Sequence, residues 1–145
     1  MILFSSEIEF EPRNRIKMNK LIIDVANEKI FLMIISNASI YNITHENTKI
    51  NYEKLTIIIN DFLSSKNLKI DDINEIYINN GTRSFAGTRN LMSVVKAFNV
   101  AKNIDYYCYN LDDFKDENDL NYENIPNLCK KYKIKKNLIN PVYIS

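Results

Sequence analysis

Residues 75–98 read Glu75-Ile-Tyr-Ile-Asn-Asn-Gly81-Thr-Arg-Ser-Phe-Ala-Gly87-Thr-Arg-Asn-Leu-Met-Ser-Val-Val-Lys-Ala-Phe98. A β-rich run ends in this stretch, a glycine turn follows, and a long helical pattern begins. Both glycines of the chain, Gly81 and Gly87, fall inside it. Glycine spent so sparingly and so locally predicts a backbone that turns tightly or approaches another group closely. The spacing predicts a strand over Glu75 to Asn79, a helix running to about Asn103 and a second strand over Asp105 to Asn110. A strand–helix–strand unit of this length requires parallel pairing.

Working upstream, three β-rich runs lie over Leu21 to Asn27, Lys29 to Ser36 and Ser39 to Thr44, with breaks at Asn27-Glu28 and Asn37-Ala38. Breaks that short imply an antiparallel meander. The first two runs are almost wholly apolar, so their strands are expected to be covered on both faces. A helix follows over roughly Tyr52 to Lys66. Leu55, Ile58 and Phe62 form one apolar stripe on it, and Tyr52, Ile59 and Leu63 form a second. That arc is wider than one sheet-packing face needs. Three antiparallel strands, then alternating helices and parallel strands, is the order of an α/β, ribonuclease-H-like (actin-like) lobe. Its mixed five-stranded sheet is expected in the order 3-2-1-4-5.

Downstream the pattern weakens. Leu111 to Asn124 reads as an acidic, Asn-rich loop or linker, Ile125 to Tyr132 as a short helix with Pro126 in its first turn, and Pro141-Val-Tyr-Ile as a short terminal strand. Residues 1–17 read as a loosely held extension, 18–110 as the lobe, and 111–145 as the remnant of a second lobe with a C-terminal segment.

The composition bounds the function. A chain of 145 residues, 46% hydrophobic, with seven Phe and nine Tyr, suits one domain with a filled core. Its net charge of +1 gives no global field for nucleic acid or an anionic membrane. No apolar run approaches the roughly 18 residues of a membrane span, and the start lacks the charged region of a signal peptide. Cys108 and Cys129 have neither disulfide density nor metal-site spacing, which suits reduced thiols and a cytoplasmic location.

Gly81 to Arg89 matches neither phosphate-loop pattern, and Ser84 is placed to cap the helix that follows. His45 is the only histidine and has no partner at ligand spacing, so neither a metal site nor a histidine-based catalytic set is expected. Asp24 ends the first strand, where actin-like ATPases hold a catalytic acid. The residues after it, Val25-Ala-Asn-Glu28, lack the glycines that wrap phosphate, so it reads equally as a turn cap. The basic run Lys130 to Lys136 offers contacts for RNA phosphates or simply a solvated face. On the second helix, Ala86, Asn90, Ser93 and Ala97 form a stripe of small or short residues that lets another helix come close. That neighbour is either the first helix of the same chain or a partner molecule.

The glycine turn and its helix resemble the signature of the bacterial TsaB (YeaZ) family, Gly-Pro-Gly-Ser-Phe-Thr-Gly-x-Arg-x-Gly followed by Ala-Lys-Gly-Leu-Ala. Gly81, Ser84, Phe85, Gly87 and Arg89 fall on matching positions, and Lys96 falls on the lysine. Lys20-Leu-Ile-Ile-Asp24 resembles the family's opening strand, Asn51-Tyr-Glu-Lys-Leu55 the start of its first helix, and Pro141-Val-Tyr-Ile144 its C-terminal segment. Thr82, Arg83, Ala86, Leu91 and Asn51 depart from the pattern, and most of the second lobe is missing.

The resemblance implies a non-catalytic protein without a cofactor. It would be the partner subunit of the enzyme TsaD in threonylcarbamoylation of adenosine 37 of tRNA, meeting tRNA indirectly. A TsaE-like ATPase is a further expected partner, and a homodimer is expected when the chain is alone. The interface implied uses Tyr52, Ile59 and Leu63 of the first helix and Ala86, Arg89, Asn90, Ser93 and Ala97 of the second. The alternatives are a small ATP-dependent phosphotransferase acting through Asp24 and the glycine turn, or a degenerate paralogue with no tRNA role.

Overall fold

The computed structural model describes residues 18–37, 39–81, 86–118 and 120–139. Thr82, Arg83, Ser84 and Phe85 of the glycine turn, residues 1–17 and the expected strand at 141–144 lie outside them. Strands β1 (Asn19–Asp24), β2 (Lys29–Ser36) and β3 (Ser39–Glu46) form an antiparallel meander, and β4 (Glu75–Asn79) and β5 (Asp105–Tyr109) add to β1 in parallel. The sheet order is β3-β2-β1-β4-β5, the mixed α/β arrangement that the order of elements predicts.

The apolar run of β1 is explained by its central place. Leu21 and Ile23 face one core with Ile76, Ile78 and the helices, while Ile22 faces a second core with Tyr77, Tyr109 and the C-terminal segment. All three β1 side chains are fully buried, each contributing about 1.5–3 kcal/mol of hydrophobic stabilisation. β3 lies at the sheet edge, and nearly all its residues are exposed.

The first helical stretch is split. A single turn, α1 (Lys49–Tyr52), is capped by Thr48, whose Oγ1 accepts from the Asn51 N–H at 3.3 Å. Asn51 Nδ2 also donates to the Glu46 carbonyl at 2.8 Å, tying the turn to the end of β3. Helix α2 (Leu55–Ser65) then starts afresh, and α3 (Ala86–Lys102) packs beside it. Both apolar stripes of α2 are core. Leu55, Ile58 and Phe62 are buried, and Ile59 and Leu63 are 0% exposed. The expectation that Ile59 and Leu63 meet a partner is corrected here. A helix in the corner between a sheet and a second helix needs two covered faces, and the wide arc fills that corner.

The segment after β5 is not a linker. It forms two 3-10 turns, Leu111–Phe114 and Tyr122–Asn124, before α4 (Ile125–Lys131). Asn110 and Asp113 make a capping box for the first turn, with the Asn110 N–H donating to Asp113 Oδ2 at 2.9 Å. Phe114 is fully buried between the rings of Tyr109 and Tyr132, at 5.7 and 5.5 Å. Residues 111–134 thus cover the sheet face opposite α2 and α3 and share one core with it.

Candidate functional site

Asp24 closes β1 beside the topological switch of the sheet, where β1 has an antiparallel neighbour on one side and a parallel one on the other. Open α/β sheets bind ligands at such a point. A cleft of about 900 Å³ opens there, between the β1–β2 turn (Val25 to Glu28) and Tyr52, Ala86 and Gly87, with Tyr122 at its wall. Among the described residues the one cation lining it is Lys29, which is ion-paired with Glu46.

The Asp24 carboxylate is buried and engaged. Oδ1 accepts from the Ala26 N–H at 2.8 Å, an Asx-turn. Oδ2 accepts from Tyr122 Oη at 2.8 Å, Asn79 Nδ2 at 3.2 Å and Asn27 Nδ2 at 3.4 Å. The Tyr122 ring stacks on Phe31 with centroids 4.0 Å apart. Burial, and then the Asp24 charge, pushes the Tyr122 hydroxyl well above its ordinary range, so it remains the donor. Tyr109 lies behind this pair, fully buried, and its hydroxyl has no partner among the described residues. Tyr122, Phe31 and Tyr109 carry no motif, and the residues before Tyr122 read as a loop. Nothing in the local pattern marks a contact spanning 98 positions.

The glycine turn has two different jobs. Gly81 takes a left-handed φ of 73°, with its N–H donating to Asn79 Oδ1 at 2.9 Å and its carbonyl accepting from Asn110 Nδ2 at 3.0 Å. That conformation suits glycine. Gly87 is helical and buried. A Cβ there would lie 3.3 Å from the Tyr52 ring, so the missing side chain lets Tyr52 sit close against α3 without shifting.

The outer face of the helix pair combines small and apolar groups. Arg89, Ser93 and Ala97 are exposed on α3, and Ala86 and Asn90 are half-buried. Val100 is 84% exposed and Ile57 of α2 is 58% exposed. A shallow groove of about 350 Å³ runs between the helices, lined by Tyr52, Thr56, Asn90 and Ser93. The structure brings together Tyr52, Asn90 and Ser93 of the expected interface and leaves Ile59 and Leu63 beneath it.

Other expected features can be placed. His45 on β3 is half-buried, and no group of acidic, histidine or cysteine side chains among the described residues is arranged to hold a metal ion. Cys108 and Cys129 are free and buried, and burial pushes both thiols up to about 12, which keeps them protonated and unreactive. No helix among the described residues is long and apolar enough to cross a membrane.

No protein-family model and no curated protein matches the chain. Among solved structures it is similar to YeaZ from Pseudomonas aeruginosa, with a TM-score of 0.59 and 15% identity, over 64% of this chain and 44% of that one. A second structure, an uncharacterized protein with similarity to peptidase YeaZ from the same organism, matches with a TM-score of 0.59 and 15% identity, over 64% of this chain and 43% of that one. The chain therefore has a YeaZ-like fold and spans less than half the length of the structures it resembles.

Proposed function

We propose that the chain is a non-catalytic scaffold subunit that docks a TsaD-like partner through the outer face of α2 and α3, in the modification of adenosine 37 of tRNA. The reading rests on the fold likeness, on the shared order of the motif residues and on one observation above all. That observation is the groove between the helices. A half-buried tyrosine and short polar side chains line it, and the apolar Ile57 and Val100 are exposed on the same two helices. Small residues on a helix face allow a partner helix to approach closely, and half-buried tyrosine anchors such contacts. The interface comprises Tyr52, Ala86, Arg89, Asn90, Ser93 and Ala97, with Ile57 and Val100 in place of Ile59 and Leu63.

The test is co-purification of the full chain with the TsaD-like protein of its native organism. Ala97→Arg puts a long charged side chain on the exposed face of α3 and should weaken association by about 3 kcal/mol, or roughly 100-fold. The melting temperature should stay unchanged, because Ala97 faces solvent. Unchanged affinity in a folded Ala97→Arg chain would overturn this interface. The phosphotransferase reading is disfavoured, since the Asp24 carboxylate already accepts hydrogen bonds from the turn, Asn79 and Tyr122.

A further inference from the structure

The sheet face opposite the proposed docking helices carries a groove of about 430 Å³ in whose lining lysines outnumber carboxylates. Lys20 of β1 and Lys130 and Lys133 at the end of α4 rim it, and Tyr77 and Tyr107 line it. The two tyrosine rings stack with centroids 4.9 Å apart; Tyr77 is buried and Tyr107 half-buried. None of the three lysines has an ion-pair partner among the described residues, whereas neighbouring Lys131 and Lys136 pair with Glu117 and Asp105. Glu75 is the one carboxylate lining the groove among the described residues, and its Oε1 accepts from Tyr77 Oη at 2.8 Å.

Lys133 is the informative residue. The described chain has left-handed backbone at five non-glycine positions: Asn37, Asn67, Asn103, Lys133 and Asn137. Asparagine tolerates that conformation, and lysine does so at a cost. Asn67 and Lys133 end their helices with matching hydrogen bonds. Leu68 N–H donates to the Leu63 carbonyl after α2, and Ile134 N–H to the Cys129 carbonyl after α4, each at 2.9 Å. The same turn is closed by asparagine on the docking side and by lysine at the rim of the groove.

We propose that this groove binds the RNA backbone, with Lys20, Lys130 and Lys133 on phosphates and the half-buried Tyr107 ring, backed by buried Tyr77, beside a base. Unpaired lysines around an accessible aromatic ring suit a flexible polyanion with π-faces. The choice of RNA over another polyanion rests on the tRNA reading above. The groove lies on the sheet face away from α2 and α3, so a partner on the helix face would not touch its described lining.

The test follows binding of an unmodified tRNA transcript to the full chain by fluorescence anisotropy across a salt series. Lys133→Asn should weaken binding at every salt concentration and flatten the slope of log K against log salt by roughly one. It should also raise the melting temperature, because asparagine suits the left-handed turn. A lysine with only a structural role would leave the salt slope untouched. Combining it with Lys20→Gln and Lys130→Gln should flatten the slope by about two to three. The proposal is overturned if wild type does not bind tRNA, or if the triple variant keeps its affinity and slope. It is also overturned if phosphatidylserine vesicles or polyglutamate compete as well as RNA does. Ala97→Arg in the same assay separates the two proposals. RNA binding that survives lost partner association leaves the groove standing alone. Partner association with RNA binding indifferent to the lysines removes the groove and keeps the scaffold.

Discussion

Asp24 shows how one residue changes meaning between sequence and structure. In the sequence it is an acid at the end of a central strand, where phosphate chemistry or a turn cap are both open. In the fold it is a buried acceptor held by Ala26, Asn27, Asn79 and Tyr122. A buried carboxylate that loses a donor bears the desolvation cost of the unmet oxygen. Tyr122→Phe keeps the stack on Phe31 and removes only the hydroxyl, so it should lower unfolding free energy by about 1–3 kcal/mol in urea titrations. No loss of stability would mean that Tyr122 does not fasten the C-terminal segment to β1. Gly87 was readable as a residue of close approach, but what approaches it, the Tyr52 ring, was not.

At the scale of elements, periodicity identified α2 and α3 and their apolar stripes, yet it cannot say how many faces a helix buries. Ile59 and Leu63 are surplus for a helix that covers only a sheet; the corner between sheet and α3 uses both stripes. After β5 the short helix α4 is legible in the sequence, whereas the two 3-10 turns before it are not. Short 3-10 turns carry no helical period, and α4 is held by side chains rather than by length. Lys131 Nζ and Tyr132 Oη both donate to Glu117 Oε2 at 2.6 Å, and these bonds, Lys131 first, hold the Glu117 carboxyl below its ordinary range. A carboxylate whose folded pKa is depressed adds stability above its unfolded pKa and loses it as pH falls through the folded one. Glu117→Gln should therefore destabilise most near neutral pH, with the gap to wild type closing on acidification. Denaturant titrations at a series of pH values would check this, and a gap independent of pH would count against the ion pair.

For the whole molecule, the second core decides what the folding unit is. Phe114, Ile125, Leu128 and Cys129 cover Ile22, Tyr77 and Tyr109 on the sheet face away from α2 and α3. Burial worth about 1.5–3 kcal/mol for a large apolar side chain, repeated over these contacts, rivals the roughly 5–15 kcal/mol that keeps a domain folded. A chain ended after Asn110 should lose cooperative unfolding and bind a hydrophobic dye; a sharp thermal transition in that fragment would refute the argument. The sequence by itself determined the strands, the helix pair and the sheet order, because hydrophobic period and break length are local quantities. Only the tertiary structure decided which helix faces are spare, that residues 111–134 form a packed layer, and that Tyr122 reaches Asp24. Those outcomes depend on which distant side chains compete for the same buried space, and spacing along the chain does not encode that.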